Sequence, residues 1–405
     1  MIGPSVAVRR RVQSTLIMKP ATRLIHVAEG INDDAAPLTT PIYETTTFVF
    51  ENAQEVRDYN EGRSTKFLYS RYANPTVQAV EEKIAALEGA DSALVFSSGQ
   101  AATTTALLAL LALGDEVVCS GAIYGGTLHL IADLLPKFGI RPRFVSIDEL
   151  RQPDAIVSPT TRMVWFESPI NPTLRCVDIA AVAAACRARG VVSVIDNTFA
   201  SPINQQPLAL GVDVVMHSAT KYLNGHSDVT AGVLAGSKDL IEKMLKARKL
   251  VGAILDPYAG YALGRGLKTL AVRVDRQNAS ALALARQLEQ RGRVERVYYP
   301  GLESHPDHAI AKRQMSGFGG MVCLDLGGGY ERAARFFDRL KIVKRAASLG
   351  GVESLCSLPV LTSQWGHSEE ELARAGVTAS MARLSIGLED PEDLLADVEQ
   401  ALFIG

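Results

Sequence analysis

Short apolar runs alternate with helical segments through the central part of the chain. Runs at residues 93–96, 116–119, 163–166, 191–195 and 212–216 have the length of buried strands. Between them, segments such as 77–87 and 101–113 place apolar residues at helical spacing. Apolar strands that alternate with helices indicate a mostly parallel sheet covered on both faces. The pattern therefore predicts an α/β fold.

The pattern changes toward the C-terminus. Amphipathic segments at residues 279–290, 333–340 and 392–402 mix with a strand pattern at 321–326, which is typical of a smaller α+β domain. The segment before Tyr69 is rich in Thr, Pro and Asn and has little periodicity. We predict three regions: an N-terminal extension and arm that reaches a neighbouring subunit (1–72), an α/β domain (73–266) and a C-terminal α+β domain (267–405), with a boundary near residues 264–266.

The composition excludes several classes of function. The 405 residues include 42 Lys and Arg against 44 Asp and Glu, so the formal charge of −2 gives no reason to expect a nucleic-acid or membrane-surface partner. No apolar run reaches the length of a membrane span. We expect a small-molecule partner.

The cysteines and histidines give no metal site. Five dispersed cysteines without a Cys-x-x-Cys pair indicate buried thiols in a reducing compartment. His305 and His308 have metal-like spacing but no third ligand, and their Gly/Pro-rich surroundings predict surface histidines. Residues 1–17 are basic and contain Ser and Thr, a weak sign of a transit peptide, but Met18 offers an alternative start. We expect a disordered extension and a cytoplasmic protein.

The segment S-A-T-K-Y-L-N-G-H-S at residues 218–227 is the most informative in the chain. Lys221 follows an apolar run and lies among hydroxyl residues, Ser218 and Thr220, that could bind a phosphate. A lysine attacks an aldehyde only as the free amine, and burial or nearby positive charge lowers its pKa. A lysine after a strand is more often a surface charge. The surrounding motifs favour a covalent site for pyridoxal phosphate, with Lys221 as nucleophile.

Two other strand ends support this interpretation. Ser98, Gly99 and Gln100 lie where a strand passes into a helix, so free N–H groups and the helix dipole could hold a phosphate, although an ordinary helix cap is the simpler view. Asp196 ends a buried strand, where its carboxylate could pair with a pyridinium nitrogen or cap the next turn. We assign Asp196 to the pyridinium nitrogen.

Tyr124 and Arg383 complete the candidate site. Tyr124 precedes a Gly-Gly turn and could stack on a planar cofactor, whereas a core tyrosine is the alternative. Arg383 lies inside an apolar strand, and a buried arginine needs an anion. That anion could be a substrate α-carboxylate or a glutamate of the chain itself.

With these residues, the chain resembles the Cys/Met-metabolism family of pyridoxal-phosphate enzymes. This trans-sulfuration group contains cystathionine γ-synthase, cystathionine γ- and β-lyases, methionine γ-lyase and homoserine-ester sulfhydrylases. The likeness extends from about Thr22 to the C-terminus. Its most specific segments are Y-S-R-Y-A-N-P-T at 69–76, E-S-P-I-N-P at 167–172, D-N-T-F at 196–199, the lysine motif, S-L-G-G-V-E-S-L at 348–355 and R-L-S-I-G-L-E at 383–389.

The resemblance implies a type I aminotransferase-like fold, a homotetramer of two active dimers, and γ-elimination or γ-replacement. Lys221 would act as general base and Tyr124 as the acid/base for the leaving or entering group. Tyr69 and Arg71 match a pair that reaches the cofactor phosphate of the adjacent subunit. The in-chain matches are Gly99, Gln100, Ser218 and Thr220 for the phosphate, Tyr124 for the ring, and Asn171, Ser348 and Arg383 for the substrate carboxylate, with Tyr69 also at the substrate.

The resemblance favours cystathionine γ-lyase or γ-synthase as the activity, with methionine γ-lyase, homoserine-ester sulfhydrylase and cystathionine β-lyase as alternatives. Glu353 fits a role near the distal amino group of cystathionine, whereas Leu68 replaces an acidic residue of several cystathionine enzymes. Methionine γ-lyases carry cysteine where Gly126 stands, and a Lys-Asp pair near residues 248–249. Trp365 departs from the pattern of many relatives and suggests an altered substrate entrance. A silent family member and an aminotransferase are the hypotheses from other classes.

Overall fold

The computed structural model describes residues 18–29 and 36–403, so the expected extension at 1–17 lies outside the described residues. The larger sheet has seven strands in the order β1-β7-β6-β5-β4-β2-β3. In chain order they are β1 (Ser92–Phe96), β2 (Glu116–Ser120), β3 (Arg141–Val145), β4 (Thr161–Glu167), β5 (Val192–Asp196), β6 (Val214–His217) and β7 (Gly232–Gly236). Strands β3, β2, β4, β5 and β6 pair in parallel, whereas β7 is antiparallel to β6 and to β1. The predicted mostly parallel sheet is confirmed.

Helices cover both faces of this sheet. They are α1 (Pro20–His26), α2 (Ala53–Asn60), α3 (Pro75–Glu88), α4 (Gly99–Leu110), α5 (Gly125–His129), α6 (Ile147–Leu150), α7 (Pro153–Ile156), α8 (Ile179–Ala188), α9 (Ser201–Asn204), α10 (Lys238–Val251) and α11 (Pro257–Leu267). Alternate side chains of a strand point to opposite faces, so Val117 packs with α4 and α10 while Val118 packs with α8.

A five-stranded sheet follows, in the order β10-β11-β12-β9-β8. Its strands are β8 (Arg296–Tyr298), β9 (Met321–Asp325), β10 (Lys344–Arg345), β11 (Leu355–Ser357) and β12 (Met381–Ser385). The accompanying helices are α12 (Leu270–Arg291), α13 (His308–Gln314), α14 (Gly329–Arg339), α15 (Glu369–Arg374) and α16 (Pro391–Leu402). This is the predicted mixture of strands and amphipathic helices.

Helix α12 joins the two halves of the molecule. Leu270 and Val274 in its first turns belong to the core beneath the larger sheet, whereas Leu284 and Leu288 belong to the core of the smaller sheet. The sequence pattern detected only the second half, from residue 279. Residues 264–266 lie within α11, so the proposed domain boundary falls inside a helix.

The prediction of surface histidines is wrong for His305. Its side chain is buried, at 3% exposure. The Nδ1 atom accepts a hydrogen bond from the N–H of Asp307, whose carboxylate binds Arg151 and Arg175. Burial lowers the pKa of His305 to about 4, so the ring is neutral at pH 7. The Gly/Pro-rich loop pattern did not show that this loop packs against residues 173–176.

Candidate active site

The candidate residues gather at one edge of the larger sheet. The carboxyl ends of parallel strands meet at one edge, where ligands bind in open α/β sheets. Asp196 ends β5, Lys221 follows β6, and Tyr124 follows β2. Strand β1 runs in the direction of β6 because each is antiparallel to β7, so the loop from Ser98 to Gln100 reaches the same edge.

Lys221 has the environment that the sequence analysis expected. Its Nζ atom lies 2.9 Å from Oγ of Ser348 and donates to it. Burial, and secondarily the charge of Arg383, lower the pKa of Lys221 from 10.5 to about 8. The fraction of molecules with a free Lys221 amine near neutral pH is therefore far larger than for an ordinary lysine, and nucleophilic attack or proton transfer requires this form.

The proposed phosphate site is built by close backbone packing. Ser98 caps α4 by accepting a hydrogen bond from Ala101 N–H at 3.0 Å, and first-turn N–H groups have no partner within a helix. A Cβ atom on Gly99 would lie 3.1 Å from Cβ of Ser218, and one on Gly232 would lie 2.1 Å from the Ser98 carbonyl oxygen. Gly99 lets the loop approach the lysine segment, and Gly232 lets β7 approach the loop. Thr220 bonds Ala231 through its hydroxyl, so its position is fixed.

Asp196 is held by Thr198. The Oδ1 atom accepts hydrogen bonds from the N–H and hydroxyl of Thr198, at 3.0 and 2.5 Å. The Thr198 hydroxyl also accepts a hydrogen bond from Ser218 N–H at 2.8 Å. Thr198 therefore links Asp196, the proposed partner of the pyridinium nitrogen, to Ser218, a proposed phosphate contact. No hydrogen bond reaches Oδ2 of Asp196 from the part of the chain that the structure describes. Burial raises the pKa of Asp196 despite the Thr198 hydrogen bonds.

One donor of Arg383, its Nε–H group, has no acceptor among the described residues. Its Nη1 atom donates to Oδ1 of Asn171 at 2.7 Å, and Nη2 lies 3.4 Å from the Ser348 carbonyl oxygen. The Nε atom is buried and has no acceptor. Among the described residues, no carboxylate forms an ion pair with Arg383, so the internal salt bridge considered from the sequence is absent there. The three residues predicted to hold a substrate carboxylate lie together.

Tyr124 lies at the mouth of this group. Its side chain is 49% exposed, which does not fit the alternative of a core tyrosine. A Cβ atom on Gly126 would lie 2.6 Å from Cε1 of Tyr124 and 2.9 Å from Nε2 of Gln100. A Cβ on Gly125 would lie 2.9 Å from the Ser363 carbonyl oxygen. The loop that carries Trp365, which is 70% exposed, therefore packs beside Tyr124.

Tyr69, Arg71 and Glu353 lie outside this hydrogen-bonded group. Arg71 donates to the Lys249 carbonyl oxygen at 2.7 Å and lies over the rings of Tyr69 and Tyr72. Within residues 18–29 and 36–403, no hydrogen bond or ring contact joins Tyr69 or Arg71 to Lys221. Glu353 accepts a hydrogen bond from Ser227, six residues beyond the lysine, at 3.1 Å.

Sequence reasoning missed Glu167 and Thr198. Glu167 begins the E-S-P-I-N-P segment and was given no role, although a polar residue at the end of a buried strand was the signal that found Asp196. Glu167 lies directly beside Asp196 in the register of β4 and β5. Burial and the Asp196 charge raise the pKa of Glu167 well above its ordinary range.

Comparison with known proteins identifies the family. The model of the Cys/Met metabolism PLP-dependent enzymes matches residues 21–403. The chain belongs to this family. It is therefore an enzyme that uses pyridoxal phosphate, as the sequence motifs predicted.

Individual relatives cover nearly the whole chain. Cystathionine gamma-synthase 1, chloroplastic, of Arabidopsis thaliana is 44% identical over 93% of this chain and 68% of its own length. L-methionine gamma-lyase of Pseudomonas putida is 42% identical over 94% and 96%. Cystathionine gamma-lyase of Mus musculus is 42% identical over 94% of each.

A solved structure supports the fold assignment. The crystal structure of metB from Corynebacterium glutamicum has a TM-score of 0.89 and 40% identity, and the match covers 95% of this chain and 98% of that one. The predicted type I aminotransferase-like fold is confirmed. Among the described residues, no helix combines the length and apolar character that a membrane crossing needs.

The residues at the sheet edge fit pyridoxal phosphate. The amine of Lys221 suits the aldehyde, the unbonded Oδ2 of Asp196 suits the pyridinium nitrogen, and the N-terminus of α4 suits the phosphate. The orphaned Nε of Arg383 is a donor for a substrate anion. The donor set therefore matches both the cofactor and an amino-acid substrate.

Proposed function

We propose that this chain catalyses γ-elimination or γ-replacement on sulfur amino acids or homoserine esters, with cystathionine γ-lyase and cystathionine γ-synthase as the leading activities. A relative named cystathionine gamma-synthase and one named cystathionine gamma-lyase each match more than nine-tenths of the chain. The observation that carries the proposal is a continuous hydrogen-bonded group: Lys221 bonds Ser348, which contacts Arg383, which bonds Asn171. This group links an amine of lowered pKa, through Ser348, to a guanidinium whose buried Nε has no acceptor among the described residues.

The chain supplies contacts for each part of the cofactor. We assign the phosphate to Ser98, Gly99, Gln100, Ser218 and Thr220, the pyridinium nitrogen to Asp196, the ring face to Tyr124 and the aldehyde to Lys221. When bound, pyridoxal phosphate supplies an electron-withdrawing ring that stabilises negative charge developing at the substrate Cα.

The residues around the substrate then have separate tasks. Arg383, held by Asn171, binds the α-carboxylate and orients the Cα–H bond toward Lys221. The Nζ atom of Lys221, with its pKa near neutrality, removes the Cα proton. Tyr124 exchanges a proton with the sulfur or oxygen of the γ-substituent. We assign Glu353 to the distal amino group of cystathionine.

Methionine γ-lyase is a competing activity, and Gly126 weighs against it. Any side chain at this position must displace the Tyr124 ring or the Gln100 amide, since its Cβ would lie within 3 Å of both. Methionine γ-lyases carry cysteine here, and a cysteine would not fit at Gly126 without a shift of these side chains. Homoserine-ester sulfhydrylase and cystathionine β-lyase also belong among the candidate activities, and a catalytically silent family member would have none of them.

We further propose a homotetramer of two active dimers in the cytoplasm. Tyr69 and Arg71 would complete the phosphate site of a neighbouring subunit, since no hydrogen bond or ring contact joins either of them to Lys221 among the described residues. Mixing Tyr69→Ala and Lys221→Ala subunits should restore about a quarter of the activity if each site needs both chains. Continued inactivity of the mixture would contradict a shared site. Five buried free cysteines support a reducing compartment.

The substrate test is direct. Purified protein loaded with pyridoxal phosphate is incubated with cystathionine, with methionine, or with O-acetyl- or O-succinylhomoserine plus cysteine, and products are identified by mass spectrometry. Cysteine and 2-oxobutyrate from cystathionine establish a γ-lyase, whereas cystathionine from a homoserine ester establishes a γ-synthase. Methanethiol from methionine overturns the argument from Gly126. Lys221→Ala is the control, and its loss of the visible cofactor band separates an enzyme from a silent member.

A further inference from the structure

One buried carboxylate connects the two sides of the candidate site. Glu167, the last residue of β4, is 5% exposed. Its Oε2 atom accepts a hydrogen bond from the backbone N–H of Tyr124, with an N···O distance of 3.0 Å. Its Oε1 atom accepts one from the backbone N–H of Asn171, at 2.8 Å. Tyr124 is the proposed ring-stacking residue, and Asn171 holds Arg383.

The surroundings of Glu167 make this arrangement costly. Among the described residues, no cation forms an ion pair with Glu167, and its neighbour in the sheet register is another carboxylate, Asp196. A buried carboxylate without a counter-ion is unfavourable unless hydrogen bonds compensate for its lost hydration. The two N–H donors are its hydrogen-bond partners in this part of the chain. The side chain thus depends on the same two loops that it connects.

We propose that Glu167 is a positioning residue that sets the distance between Tyr124 and the Asn171–Arg383 pair. The inference rests on the proposed site and extends it to a residue outside the proposed substrate contacts. One carboxyl group has a fixed separation between its oxygens, so a shift of either loop breaks a buried hydrogen bond and leaves its partner unsatisfied. The stacking ring and the carboxylate-binding arginine are therefore held in one geometry.

Two substitutions test separately the chemical group and the length of the Glu167 side chain. Glu167→Gln keeps the length but loses an acceptor, since its amide nitrogen cannot accept an N–H. Glu167→Asp keeps the carboxyl group but is one methylene shorter, so it should not reach both loops. We expect both variants to raise the KM of the amino-acid substrate roughly tenfold, the range for a buried hydrogen-bonding group left without its partner. A smaller change in kcat is expected.

A matched control is available on the same sheet. Glu116 on β2 accepts hydrogen bonds from Ser158 and Thr161 at the opposite end of the strands. Glu116→Gln should lower thermal stability without changing KM or the visible circular dichroism of the bound cofactor. Both Glu167 variants should weaken that circular dichroism, because the ring no longer packs in one position.

Amide hydrogen exchange tests the geometry with and without pyridoxal phosphate. Protection of the Tyr124 and Asn171 amides should fall in both Glu167 variants and remain in Glu116→Gln. Wild-type behaviour of Glu167→Asp would mean that the length of the side chain does not matter. A stability loss without a change in KM, circular dichroism or protection would mean a merely structural role. Either result overturns the inference while leaving the proposed function intact. Absence of a cofactor band in the wild type would instead refute the proposed function.

Discussion

The free amine of Lys221 gives the sharpest quantitative prediction. Its pKa of about 8, against an ordinary 10.5, disfavours the ammonium by roughly 3 kcal/mol. At pH 7.5 about a quarter of the side chains would carry the free amine, whereas about one in a thousand would do so at the ordinary value. The physical causes are burial first and the Arg383 charge second.

Competitive labelling of amines in the cofactor-free protein measures this directly. A limiting acylating reagent is applied between pH 6 and 11, and modification of Lys221 is quantified by mass spectrometry against that of exposed Lys243. We expect Lys221 reactivity to reach half its maximum near pH 8. Arg383→Gln should move this midpoint upward, because a neighbouring positive charge is removed. A Lys221 midpoint near 10.5 in the wild type would refute the reasoning.

The same shift determines how stability depends on pH. The folded cofactor-free protein binds the Lys221 proton more weakly than the unfolded chain does, so this group destabilises the fold at pH values below about 8. The penalty decreases as pH rises from about 8 toward 10.5, where the unfolded chain also loses the proton. In that window the free energy of unfolding of the wild type should increase relative to that of Lys221→Met.

Three further predictions concern neighbouring residues. Arg383→Lys keeps the charge but loses the guanidinium fork, so we expect substrate KM to rise roughly ten- to a hundredfold in steady-state kinetics; an unchanged KM would remove Arg383 from carboxylate binding. Gly232→Ala should weaken cofactor binding roughly tenfold in an absorbance titration, because overpacking against the Ser98 carbonyl costs about 1–3 kcal/mol. Equal affinity would show that the loop can yield. Trp365→Ala should alter the ranking of substrates if its loop forms the entrance, and an identical ranking would discard that hypothesis.

Much of the fold could be predicted because its physical signals are local. Strands that are buried on both faces appear in the sequence as apolar runs. Because these strands pair in parallel, the residues that follow them lie at one edge of the sheet. Lys221, Asp196 and Tyr124 could be found in this way. The first half of α12 could not, since it packs against the other core. The burial of His305 depends on a contact with Thr173, 132 residues away in the chain.

The role of Glu167 could not be predicted from the local sequence pattern. Glu167 and Asp196 both end buried parallel strands, and β4 and β5 place them side by side. Their tasks differ because Asp196 is held through Oδ1 by the adjacent Thr198, which leaves Oδ2 unbonded by the described residues. Both oxygens of Glu167 are occupied, one by an N–H that lies 43 residues away in sequence. The strand pattern locates such carboxylates at the sheet edge, but only the tertiary contacts distinguish the one that can receive a ligand from the one that positions the loops around it.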